Sequence, residues 1–352
     1  MITLKADKTF SWVLKILILF WVAGIFSCRQ KKPDRQIERS FYYWKSVFTL
    51  TDYEKQKLDT LQVKTVYIKF FDVDWDEERR RAKPVAKLKF EDPAYQNYKI
   101  IPTVFITNAC IQKIDSGAVI QLANDITRLI KTIIAIQQSP HLIEEIQIDC
   151  DWTASTKEKY FSLLNEIKQL TNVKLSATIR LHQVKFIAKT GIPPVDRGLL
   201  MCYNMGNLKD PATKNSIIET VELKKYISGL SNYPLPLDIA LPLFDWKVLY
   251  RNNVYTGLIQ NLPQTVFTSS FTEKKDNRYL VLKDTLLQGY NLRKGDIIRD
   301  EQSSCKEILS TSATINKQLK NTQLRVSLYH LDSVILSKYT THELENIYNS
   351  LH

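Results

Sequence analysis

The sequence predicts an α/β protein arranged as a (β/α)8 TIM-type barrel, with an irregular excursion late in the chain. Three observations carry that expectation. Strand-like runs alternate with helical periodicity from residue 65 onward, the pattern of a parallel sheet. The runs begin near 65, 101, 146, 174, 198, 237, 295 and 325, and eight units over roughly 290 residues suit a barrel. No glycine-rich loop follows any of the runs, which leaves a doubly wound dinucleotide-binding sheet as the second choice.

The elements follow in order. TVYIKFFDVDW (65–75) is β-branched and aromatic, a strand. Residues 76–98 are charged, contain Pro84 and Pro93, and fit a loop with one edge strand. IPTVFITN (101–108) is the next strand. Val119 to Ile136 repeats apolar residues at helical spacing. Ile146 to Cys150 reads as a strand. STKEKYFSLLNEIKQL (155–170) is a helix with Ser155 as its cap and Tyr160, Leu163, Leu164, Ile167 and Leu170 as its apolar stripe. KLSATIRL (174–181) and GLLMCYNM (198–205) are strands, and IETVELKKYISGL (218–230) is a helix closed by Gly229. LDIALPLF (237–244) is a strand that Pro242 ends or bends. YLVL (279–282) is a local strand, and GDIIRDE (295–301) supplies the seventh barrel strand. Helix 303–319, strand 325–332 and helix 340–351 complete the chain. Residues 250–294 form the excursion.

Composition bounds the function. The chain has 352 residues, 44% of them hydrophobic, enough for a substantial core. The formal charge of +12 is dispersed, with short clusters at 31–35 and 79–83. No zinc-finger spacing or RNA-recognition pattern accompanies it, so a nucleic-acid partner is not expected. Histidine is scarce, and the cysteines show no CxxC spacing, so no metal site is expected.

The first residues read as an address. Lys5, Lys8 and Lys15 precede an apolar run from Ile16 to Phe26, the layout of a secretory signal. The run is short for a permanent membrane span. Ile25-Phe26-Ser27-Cys28 resembles a bacterial lipobox, although Phe26 is larger than the usual residue there. That resemblance implies a leader over 1–27, acylation of Cys28 and a lipid bilayer as partner. Residues 28–60 are then a tether and packing segment, and 61–352 the barrel domain. The localisation expected is membrane-anchored, facing the periplasm or the cell surface. The remaining cysteines, Cys110, Cys150, Cys202 and Cys305, permit disulfides in an exported protein, while Cys150 and Cys202 also suit buried thiols.

One stretch carries chemistry. In EEIQIDCDW (144–152), residues two apart share a face, so Gln147, Asp149 and Asp151 point one way and Ile146, Ile148 and Cys150 the other. Barrel enzymes keep their chemistry at the C-terminal strand ends, where Asp151 and Trp152 fall. Other strand ends offer Asp72, Asp74, Trp75, Arg180, Tyr203, Asp245, Trp246 and Tyr329. Acids and aromatics together suit a polar ring such as a sugar: carboxylates handle hydroxyls and protons, aromatic faces cover C–H surface. Two other uses stay open for the acids. They can belong to an internal hydrogen-bond network, or Asp151 can pair with Arg180.

QIDCDW resembles the fourth-strand motif of chitinase-like glycoside hydrolases of the family-18 type, and MCYNM (201–205) resembles that family's Met-x-Tyr strand. The wider chain resembles exported Bacteroidetes-type proteins sharing FFDVDW and DCDW. The chitinase-like resemblance implies that Asp151 stands at the acid position, Asp149 supports it, Gln147 replaces the first acid and Tyr203 is the pocket tyrosine. Trp75, Trp152 and Trp246 would be ring platforms, and Asp72, Asp74, Arg180, Asp245 and Tyr329 further substrate contacts. An aspartate instead of the family's glutamate shortens the reach, and a displacement of about 1 Å costs about 10²-fold in rate. Hydrolysis of an N-acetylated glycan without a cofactor is therefore one expectation. Non-catalytic binding of carbohydrate or another envelope component is the other, and a bidentate Asp151–Arg180 pair would favour it. The sequence sets no oligomeric state.

Overall fold

The computed structural model describes residues 35–137, 143–260 and 262–352. The proposed leader and Cys28 lie outside these residues. Eight parallel strands close on themselves: β1 (Gln36–Tyr43), β2 (Thr65–Asp76), β3 (Lys99–Ile106), β4 (Glu145–Asp149), β5 (Lys174–Arg180), β6 (Arg197–Met201), β7 (Leu237–Pro242) and the chain's last strand, Gln323–Tyr329. Closure is made by β1, whose Phe41 and Ser40 pair with Leu328 and Ser327 on one side and with Val66 and Thr65 on the other.

This barrel has the expected strand number with one member exchanged. Gln36–Tyr43, expected within the tether and packing segment, is a barrel strand; Tyr42 and Tyr43 are fully buried. The segment at 295–301 is not a barrel strand. The excursion spans Asp245 to Gln302 and contains an antiparallel sheet of β8 (Asp245–Arg251), β9 (Val254–Ile259), β10 (Thr272–Lys275), β11 (Arg278–Val281) and β12 (Ile297–Gln302), in the order β9-β8-β12-β11-β10. The last barrel strand is therefore β13. The insert has its own core around Leu249, Phe267, Tyr279 and Ile298. Its first hairpin turns on Asn252 and Asn253, both at positive φ (51° and 61°), as a two-residue turn of matching twist requires.

Local chemistry explains the helices. Thr51 and Glu54 form a capping box at α1 (Asp52–Thr60), satisfying the first free N–H groups. In α2 (Val119–Gln137), Val119, Leu122, Ala123, Ile126, Ile130 and Ile133 are buried at helical spacing. Helix α3 (Lys157–Leu170) buries Tyr160, Leu163, Leu164 and Ile167, and its first flanking residue is Thr156, not Ser155. The helix expected at 218–230 is broken into Thr220–Lys224 and a 3-10 turn at Ile227–Asn232. A short antiparallel strand, Arg81–Val85, lies on the end of β2 as the expected edge strand. Among the described residues no helix is long and apolar enough to cross a membrane.

Candidate functional site

The inward face of β4 builds the site in layers. At the N-terminal end of the barrel, Glu145 Oε2 accepts from Arg325 Nη1 at 3.0 Å, and the same nitrogen donates to Tyr67 Oη at 2.7 Å. Glu38 lies 3.1 Å from Arg325 Nε, and Asp238 accepts from the Arg325 backbone N–H at 2.9 Å. This plug of buried charge has no counterpart in the sequence expectation. Its one sequence signal is that Glu145 is in phase with Gln147. Above it, Gln147 Oε1 accepts from Tyr42 Oη at 2.5 Å, and Tyr42 stacks on Tyr67 with centroids 4.7 Å apart. Gln147 is fully buried beneath the cleft and does not line it.

Asp149 is the next residue up and lies on the cleft floor. Its Oδ1 accepts from Thr178 Oγ1 at 2.6 Å. Burial pushes its carboxyl up to about 6, aided by the charge of Asp151 and opposed by Arg180 and the Thr178 hydrogen bond. Asp151 sits at the rim with its side chain 49% exposed. Arg180 clamps both of its oxygens: Nη2 to Oδ2 at 3.0 Å, and Nε to Oδ1. Burial pulls the guanidinium pKa down, but the two aspartates outweigh it and raise it above its ordinary value. Asp151 does not line the cleft; Arg180 does.

The cleft occupies about 780 Å³ at the C-terminal strand ends, within the range of ligand sites. Its walls are aromatic. Tyr203 stacks on Tyr329 at 5.5 Å, and Phe244 meets both rings edge-on. Trp246 packs on Phe244 at 5.2 Å and donates its indole N–H to Glu301 Oε2 at 2.7 Å. Trp44 faces Tyr329 at 5.9 Å. Among the described residues the buried Tyr203 hydroxyl has no hydrogen-bond partner, and neither has His330 Nδ1. Burial holds the tyrosine's pKa well above its ordinary value.

The expected residues therefore divide. Asp149, Arg180, Tyr203, Asp245, Trp246 and Tyr329 meet in the cleft. Trp152 does not: it is fully buried outside the barrel, stacked on Tyr160 and bonded from Nε1 to Thr190 O at 3.0 Å. Its odd-even phase relative to Asp151 points it outward, among the helices. Trp75 is also away from the cleft, paired across the β2 hairpin with Ala82. Asp72 pairs with Lys69 at 3.1 Å, and Asp74 accepts from Thr107 Oγ1 and the Trp75 N–H, so both serve the strand end. Trp44, Phe105 and Phe244 were missed as site residues. Trp44 was legible only as part of the aromatic run FYYW, which reads equally well as packing.

Among the described residues, no group of three or more His, Cys, Asp or Glu is placed to hold a metal ion. Cys110, Cys150, Cys202 and Cys305 are free thiols.

A closed parallel barrel with a polar and aromatic cleft at its C-terminal face defines a TIM-type barrel protein with its site where that fold keeps one. Solved structures of similar fold are chitinase-like barrels. The Bacillus cereus spore cortex-lytic enzyme SleL superposes with a TM-score of 0.51 at 12% identity, covering 90% of this chain and 75% of that one. The Group IV chitinase of Ostrinia furnacalis gives 0.51 at 11% identity, covering 90% and 100%. The chitinase TsES1 of Trichuris suis gives 0.51 at 12%, also covering 90% and 100%. At these identities the likeness establishes the fold. No protein-family model matches the sequence, and no curated protein does.

Proposed function

We propose that this chain is an exported protein, anchored to a membrane through acylated Cys28, whose barrel binds a glycan in the cleft without cleaving it. The observation that carries the choice of binding over hydrolysis is the Asp151–Arg180 clamp. A carboxylate bonded on both oxygens by a guanidinium presents no free oxygen to a leaving group. Support for a glycan comes from the lining: stacked and edge-on aromatic rings beside Asp149, Asn204 and Arg180 match a ring with apolar C–H faces and polar edges. Chitinases and a cortex-lytic enzyme share the fold, which makes N-acetylated chains the first ligands to test.

A second reading rests on one observation. Asp149, at the floor of the same cleft and with its pKa raised to about 6, holds a proton in mildly acidic solution. That is the state a general acid needs. On this reading the chain hydrolyses a glycosidic bond, with Asp149 in place of Asp151 as the acid.

The test is calorimetry and product release with N-acetylated chains, using residues 29–352. Saturable binding without turnover, weakened about tenfold by Trp246→Ala, is the expected result. Turnover abolished by Asp149→Asn would replace binding with the second reading. Turnover abolished by Asp151→Asn alone would restore the acid role to Asp151. Neither binding nor turnover would overturn the glycan assignment.

A further inference from the structure

We infer that the cleft continues into a second chamber that takes a further oxygen-rich unit of the same ligand, one more sugar of a glycan chain, with Lys247 as its recognition group. This rests on the glycan reading and adds the length of the ligand to it.

The chamber occupies about 360 Å³ between the base of the insert, the start of the helix at Cys305–Asn316 and the segment before the helix at Thr341–Asn349. It shares Asp245, Leu262, Pro263 and Lys338 with the lining of the main cleft, so the two spaces abut. The partition is an ion pair, Lys338 Nζ with Asp245 Oδ2. Lys338 is 44% exposed, and a solvent-screened pair of that kind is weak, so a ligand can displace it at little cost.

Beyond the partition stands Lys247. Its side chain is 3% exposed, and it lines the chamber. Its ammonium lies 3.4 Å from Asp300 Oδ1 and 3.9 Å from Asp245 Oδ1, and it makes no hydrogen bond to any described residue. Apart from that ion pair, Asp300 Oδ1 is itself buried without a hydrogen-bond partner among the described residues. A lysine has three donors to place, and a buried charge that leaves them unused is expensive. The polar groups around it (Gln264, Gln302 and Ser304) suit hydroxyl or carbonyl oxygens rather than an apolar chain. A ligand oxygen in the chamber would give Lys247 a hydrogen-bond acceptor in addition to its two ion-pair partners.

Affinity for a ladder of N-acetylated chains, measured by calorimetry, tests this. The wild type should tighten about tenfold at the length that passes the Asp245–Lys338 pair, the effect of one hydrogen bond to a charged group. Lys247→Met should erase that step and leave the shorter chains unchanged. Gln302→Trp narrows the chamber from its exposed wall without removing a charge, and should erase the step in a protein that folds normally. The absence of any step in the wild type, or its survival in both variants, overturns the second chamber alone. Failure of every chain length to bind the wild type overturns it together with the glycan reading.

Discussion

Asp149 and Asp151 are two residues apart on one strand and have opposite fates. Depth decides between them. Asp149 lies where water is scarce, so its charged form is penalised; Asp151 lies at the rim, where a guanidinium and solvent both reach it. The consequence for stability has a definite sign. Folding raises the Asp149 carboxyl from its ordinary 3.8 to about 6, so the native state binds its proton more tightly. The stabilisation from this group is complete below about pH 4 and is lost as pH rises through about 6, on the order of 3 kcal/mol in all. Asp149→Asn should remove that slope, read as the difference between wild-type and variant unfolding free energies from pH 4 to 7. Equal slopes would mean that Asp149 titrates normally. Arg180 opposes the rise, so Arg180→Met should move the Asp149 titration above about 6. Carboxyl NMR would follow it, and an unmoved midpoint would separate the two residues electrostatically.

At the scale of elements, two tryptophans at strand ends do different work. Trp152 is fully buried against Tyr160 and Phe161, whereas Trp246 is half-buried on the cleft wall. Trp152→Ala should cost about 3–5 kcal/mol in denaturant unfolding, and Trp246→Ala much less. The wall itself is held from the insert. Glu301 takes the Trp246 indole, is bonded by Ser216 Oγ at 2.5 Å, and pairs with the fully buried Arg299 at 2.5 Å. Arg299 in turn donates to the carbonyl of Asp210 at 2.8 Å. One chain of contacts thus ties the insert to the loop that follows β6. This explains why the excursion begins at Asp245 rather than near 250: its first residues are already cleft residues.

For the whole molecule, closure is the governing fact. β1 has a parallel neighbour on each side, so its loss would leave two open edges on a sheet whose faces are already covered. A chain shortened to residues 61–352, the barrel boundary that the sequence suggested, should fail to fold, while residues 35–352 should melt cooperatively; circular dichroism on heating distinguishes them. The charged plug at the N-terminal end is a second closure device. Arg325→Met strands Glu145 and Asp238, and should cost about 3–5 kcal/mol in denaturant unfolding. A loss below about 1 kcal/mol would show that the plug is solvated in solution.

Sequence by itself determined what repeats or alternates. Period-2 strands between period-3.6 helices carried the barrel class, and the phase of Gln147, Asp149 and Asp151 carried the inward face of β4, because both follow from local backbone geometry. The tertiary structure decided what depends on neighbours far along the chain. FYYW closes the barrel because Phe41 meets Leu328, and GDIIRDE joins the insert because Val248 meets Arg299. Both segments are short, and neither carries a local mark of its partner. The surroundings of each aspartate were settled in the same way. Asp149 is buried beside Thr178 with its pKa raised to about 6, while Asp151 stands at the rim bonded on both oxygens by Arg180, and burial is set by the closed barrel, not by the spacing of two residues on one strand.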